Sequence, residues 1–180
     1  MKTFLTILTL LTSMVLLNAC STMGSSQSNN DIKFETEVDS KANFKGYKSY
    51  AWMGSASILN DPTNQWKAPG FDANAEIKFL IDSQLRSKGM TEANNKPDVL
   101  VGYALGINMT NIEYKENPEQ SFKSIESAPK GALVILMVDA QTGVVIWSST
   151  ARADIQGNTG EVAKNRLKYA VKSMIGSLPK

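Results

Sequence analysis

The sequence predicts an α+β domain: a mostly antiparallel sheet of about five strands with two amphipathic helices packed on one face, in the order ββαβββα. Three observations carry this reading. Residues 131–151, GALVILMVDAQTGVVIWSSTA, place two apolar, β-branched runs on either side of a turn. Residues 71–88 and 159–178 each repeat apolar side chains at helical spacing. The chain of 180 residues has one cysteine, Cys20, outside the patterned region, so no disulfide can form within the fold and packing alone must hold it.

The first strand is expected over Ile32 to Val38, where Ile32, Phe34 and Thr36 alternate with charged residues. A second, Tyr47 to Trp52 (YKSYAW), follows Gly46. Residues 53–70, MGSASILNDPTNQWKAPG, break the pattern with Gly and Pro and read as a long loop. From Phe71 to Lys88 the pattern is helical, with Ile77, Leu80, Ile81 and Leu85 on one face and Gly89 placed to end the helix. PDVLVGYALGINM, residues 97–109, reads as a strand. Its odd positions Val99, Val101, Tyr103, Leu105, Ile107 and Met109 are large and apolar; Gly102, Ala104 and Gly106 share the other face. A polar stretch, residues 111–130, precedes the hairpin, whose turn Asp139–Gly143 ends in a glycine suited to a left-handed position. A closing helix, Thr159 to Leu178, carries Ala163, Leu167, Ala170, Val171, Met174 and Ile175 as one stripe, and Pro179 stops it.

The N-terminus has a separate logic. Lys2 supplies a positive charge and Phe4 to Leu17 an uncharged apolar run, the layout of a secretory signal peptide. As a helix that run would rise about 21 Å, short of the ~30 Å hydrocarbon core. Leu17-Asn18-Ala19-Cys20 then resembles the lipobox of bacterial lipoproteins. The resemblance implies cleavage after Ala19, a diacylglyceryl group on the Cys20 thiol, and a fatty acyl chain such as palmitate on the new amine. Two or three such chains hold a protein on a membrane durably, since each buried CH₂ contributes about 0.8 kcal/mol. Ser21, where an aspartate would signal retention at the inner membrane of a Gram-negative cell, implies the outer membrane. The organisation is therefore signal peptide 1–19, lipidated Cys20 with a Ser- and Asn-rich tether to residue 30, and one periplasmic domain, 31–180.

Over the domain, FKGYKSYAW (44–52), the helix ending at Lys88-Gly89, PDVLVGY (97–103), LVILMVDAQTGVVIW (133–147) and the last amphipathic helix together resemble the domain of unknown function numbered 4136, a group of bacterial lipoproteins. Its most specific piece is the Val-Asp-Ala-x-Thr-Gly hairpin followed by Trp147. The resemblance implies this fold and this location, and brings no assigned reaction.

Composition narrows the function. The chain has no histidine, which excludes Ser-His-Asp and Cys-His units and histidine metal sites, and no cofactor motif is present. Its net charge of +2, without a basic block, gives no reason to expect nucleic acid. Asp98, Asp139 and Asp154 lie near strand ends, where acid–base groups are common, yet each also suits a strand start, a turn or a strand end. Tyr50, Trp52 and Trp147 suit a carbohydrate platform less well than a core. Gly102, Ala104 and Gly106 could let a helix approach the sheet, or could floor an apolar pocket. The two long loops carry Trp66 and Phe122 as candidate interaction residues, and equally could fold back as an extra strand or cover the second face of the sheet. The sequence thus favours a non-enzymatic binding or envelope-assembly module, whose partners would be the membrane, through its lipid, and an envelope protein or other envelope component. The alternatives are a carrier of a small apolar ligand, and a hydrolase using Asp or Ser-Lys chemistry.

Overall fold

The computed structural model describes residues 29–116, 123–155 and 157–180, with backbone only for 112–116 and 123–127. The main elements come in the expected order: β1 (Lys33–Val38), β2 (Ser49–Asn60), α1 (Ala73–Ser87), a two-residue β3 (Thr91–Glu92), β4 (Val99–Asn108), β5 (Ile112–Glu116), β6 (Lys123–Ser127), β7 (Lys130–Asp139), β8 (Val145–Asp154) and α2 (Gly160–Gly176). Six strands form one sheet in the order β1-β8-β7-β4-β2-β3, and β5 and β6 pair separately as a hairpin.

The sheet is mixed. β1, β8, β7 and β4 run antiparallel to their neighbours, whereas β2 lies parallel to β4 and β3. The cause is connectivity, since a tight turn can only reverse a strand, while α1 carries the chain from β2 back to start β4 in the same direction. The β7–β8 hairpin closes as anticipated. Gly143 sits at φ +72°, where a side chain would be strained, and Asp139 caps the turn through the N–H groups of Gln141 and Thr142.

Two loop expectations change. β2 continues to Asn60, eight residues beyond Trp52, because a bulge at Met53/Gly54 absorbs the irregularity and pairing with β4 resumes. Gly54 makes the bulge possible, with φ +150°. Much of residues 111–130 is the β5–β6 hairpin, with Tyr114 opposite Ile125. Its signal was the alternation of Ile112 and Tyr114 with charged residues, followed by Asn-Pro at 117–118.

Both helices pack on one face. Ile77, Leu80, Ile81 and Leu85 of α1 and Ala170, Val171, Met174 and Ile175 of α2 join one core with Val99, Val101 and Tyr103 of β4. Ile135 and Met137 of β7 and Trp147 of β8 complete it. Asp72 caps α1 by accepting from the Ala75 N–H at 3.0 Å. In the first half of α2, buried Arg166 donates to both oxygens of Asp31, at 2.9 and 2.5 Å, fastening the segment before β1 to the helix layer.

Candidate functional site: the open face of the sheet

The helices cover one face of the sheet only. Since side chains alternate along a strand, the partners of the buried odd-numbered residues of β4 point the other way. There the register sets Gly102 beside Gly54 and Leu136, Ala104 beside Ala56 and Val134, and Gly106 beside Ile58 and Ala132. The small-residue strip therefore does not meet a helix. It forms the floor of the open face, edged by larger apolar residues of β2 and β7. Met53 lies over its upper end: a Cβ added at Gly102 would sit 3.0 Å from the Met53 methyl carbon. Met53 and Ile58 are 52% and 66% exposed, so no described residue shields this border of the face.

At the lower end the strip opens into a groove of about 730 Å³ lined by Ile58, Asn60, Gly106, Asn108 and Ala132, with Lys33, Arg152 and Asp154 on its rim. Two of the rim charges are paired. Arg152 pairs with Glu35 at 2.7 Å, and Lys130 bonds Asp154. The β5–β6 hairpin leaves from this same end, because it joins β4 to β7; Asn111 and Ala128 close its base through a 2.9 Å backbone bond. Apolar floor, polar rim and adjoining hairpin form a surface suited to contact with a partner.

A second, smaller cavity of about 150 Å³ lies between the helix layer and the sheet, lined by Ile32, Leu105, Ile107, Leu133, Ala163 and Leu167. Trp66 borders it, half-buried, its N–H held at 2.6 Å by Asp61. Trp66 is thus partly a cover for this cleft. Phe122 and Cys20, with residues 1–28 as a whole, lie outside the described residues.

The three aspartates do not converge. Asp98 accepts from the N–H groups of Lys48 and Ser49 and from the Ser49 hydroxyl, each at 2.8 Å, which holds its pKa below the ordinary carboxylate value. Asp139 is likewise lowered, by the Thr142 N–H and then by the Tyr47 hydroxyl. Burial, and then the Asp139 hydrogen bond, push the Tyr47 phenol up to about 12. Asp154 lies at the opposite end of the sheet, on the groove rim. Each of these side chains fixes local structure. The aromatic trio is not a platform either: Tyr50 and Trp147 are fully buried, and Trp52 is half-buried between Tyr50 and Tyr103, under Lys78. Among the described residues no group of acidic or cysteine side chains could hold a metal ion, and no helix is long and apolar enough to cross a membrane.

Comparison with known proteins gives a family match. The model of a domain of unknown function, DUF4136, matches residues 34–180. No curated protein matches. Among solved structures, a PDZ domain protein from Parabacteroides distasonis is similar at 18% identity with a TM-score of 0.51, over 82% of this chain and 36% of that one. This chain thus spans about a third of that protein's length, and the likeness is one of fold. A DUF4136 family protein from Bacteroides thetaiotaomicron is 12% identical over 81% of this chain and 92% of its own, with a TM-score of 0.44. PelC from Paraburkholderia phytofirmans, a dodecamer, is 18% identical over 82% and 93%, with a TM-score of 0.42.

Proposed function

The chain belongs to the DUF4136 family, and on that footing we propose that it is a lipoprotein anchored in the outer membrane through Cys20, facing the periplasm, and acting as a non-enzymatic binding module. The observation that carries the binding role is the one-sided sheet. A sheet can leave one face to water when that face is polar, but this one carries Ile58, Ala104, Val134 and Leu136, and apolar surface of that kind is costly unless something else covers it. An envelope protein is the partner class that fits, because the face is apolar at its centre and polar at its rim, where Arg152 pairs with Glu35 and Lys130 with Asp154.

Anchoring follows from Leu17-Asn18-Ala19-Cys20 and the uncharged run before it. The tether from Ser21 to Asn30 would have an r.m.s. reach of roughly 17 to 19 Å, keeping the domain close to the membrane surface.

The test is site-specific photo-crosslinking in intact cells. A photoreactive side chain at Ala104 or Val134 is expected to join the chain to one envelope protein, while the same group at Lys168, exposed on α2, joins nothing reproducibly. Equal labelling from both faces, or none from the open face, would count against the binding role.

The cleft between helices and sheet supports a second reading, as a carrier. Apolar cavities near 150 Å³ accept molecules the size of benzene. Trp66 lies on its border and would report such binding as a saturable change in fluorescence.

A further inference from the structure

The two edges of the sheet are built differently. β1 is protected in the usual manner of free edges: Lys33, Glu35 and Glu37 alternate along it, and Thr36 is bonded to Ser177 at the end of α2. β2 has no such defence over its second half. On its outer side β3 pairs only with Ser49 and Tyr50, so residues 55–60, SASILN, form a regular strand whose outer edge has no described partner. That stretch contains no charge and no proline, and the bulge at Met53/Gly54 lies before it. Ile58 and Leu59, on opposite faces, are 66% and 54% exposed.

Backbone direction fixes which groups point outward. The Asn60 carbonyl accepts from Met109 N–H at 2.9 Å and so is turned toward β4. In a parallel ladder alternate residues turn both backbone groups to the same neighbour, which leaves Ser55, Ser57 and Leu59 presenting N–H and C=O to the open side.

We propose that this edge pairs antiparallel with the same edge of a second copy of the chain, about a two-fold axis through Ser57. The sequence is self-complementary in that register. Ser57 meets Ser57 and Ser55 meets Leu59 as hydrogen-bonded pairs, while Ile58 meets Ala56 as the intervening non-hydrogen-bonded pair. All three outward-pointing residues of each copy are thereby satisfied, and each large side chain falls beside a small one. The axis stands perpendicular to the sheet, so the two helix layers lie on the same side. Helix α1 is the layer nearest this edge, since Asn74 and Lys78 reach Ser57 and Trp52 of β2. Pairing brings the β2-side flanks of the two α1 helices, which carry Asn74 and Lys78, to the same side of the joined sheet. The open faces also come to lie on one side, doubling the candidate binding surface; the pairing does not depend on that surface having a partner.

The test uses the full chain, extracted in detergent, in sedimentation equilibrium with the detergent density-matched. The native chain is expected to sediment as a dimer. Ser57→Pro removes an outward N–H at a position where an edge strand tolerates proline, and Leu59→Lys installs the charge that free edges carry. Each should weaken the dimer roughly ten-fold or more while leaving the cooperative melt, taken at dilutions where every chain is monomeric, within a few degrees of the native one. In the native envelope, Ser57→Cys should be trapped as a disulfide-linked dimer, because hydrogen-bonded antiparallel pairs hold their Cα atoms about 5.5 Å apart, within disulfide range. Lys168→Cys serves as the unlinked control. A native chain that is monomeric throughout, or a dimer indifferent to both edge substitutions, would overturn the proposal.

Discussion

Asp98 shows how a residue that invites a catalytic reading spends its charge on structure. Its carboxylate ties the start of β2 to the start of β4 through Lys48 and Ser49. Asp31 is a second case: burial works to raise its pKa, but the Arg166 hydrogen bond, the Asp154 N–H and the Arg166 charge together bring it below 3.8. Asp98 and Asp139 lie below that value as well. A carboxylate whose folded pKa is depressed contributes stability above its unfolded pKa and loses it as pH falls through the folded one. The melting temperature should therefore hold level at neutral and mildly acidic pH and fall once pH drops below 3.8. Asp98→Asn should cost about 1–2 kcal/mol at neutral pH and flatten part of that acid limb, as melts across a pH series would show. Trp66 gives the other residue-scale expectation. Being half-buried over a cleft, it should cost about 2 kcal/mol on truncation to Ala, less than the 3–5 of a fully buried aromatic. Paired melts of Trp66→Ala and Trp147→Ala would rank them.

At the scale of elements, much was legible in the sequence, and the reasons for the exceptions are physical. Both helices and the β7–β8 hairpin come from strong periodicity plus turn chemistry, signals local enough to read without the fold. The large odd-numbered residues of β4 were likewise readable as one apolar face, though not as the face the helices cover, where Val99, Val101 and Tyr103 are buried. The destination of Gly102, Ala104 and Gly106 was not, because alternation says that two faces differ and not what lies over each. The extension of β2 was hidden by Gly54 and a run of serines, which weaken strand propensity but are tolerated at a bulge on an exposed edge. β5 and β6 pair only with each other. Replacing Ile112–Ser127 by a two-residue turn between Asn111 and Ala128 should therefore leave cooperative unfolding in place, with a melting temperature within a few degrees of the parent. A collapse of the transition would show that the hairpin is part of the core. The floor of the open face was among the readings the small residues Gly102, Ala104 and Gly106 allowed, but its borders and groove had no sequence signature, since β2, β4 and β7 meet only once α1 has returned the chain.

For the molecule as a whole, the core among the described residues lies within residues 32–178, so the segment ahead of it is expected to be dispensable for folding. A chain beginning at Asn29 keeps Asp31 and its bond to Arg166 and should unfold in one cooperative transition; a molten or aggregated product would contradict this. On the proposed reading the N-terminus supplies location, which would give the uncovered sheet face its use by holding a binding surface near a membrane-resident partner. The most direct measurement of that claim is the intact mass of the chain recovered from outer membranes. The account predicts a polypeptide starting at Cys20, heavier than its sequence by a diacylglyceryl group and one fatty acyl chain, and lost from the membrane in Cys20→Ser. A native chain with a free Cys20 thiol, or one released from cells in soluble form without detergent, would contradict it.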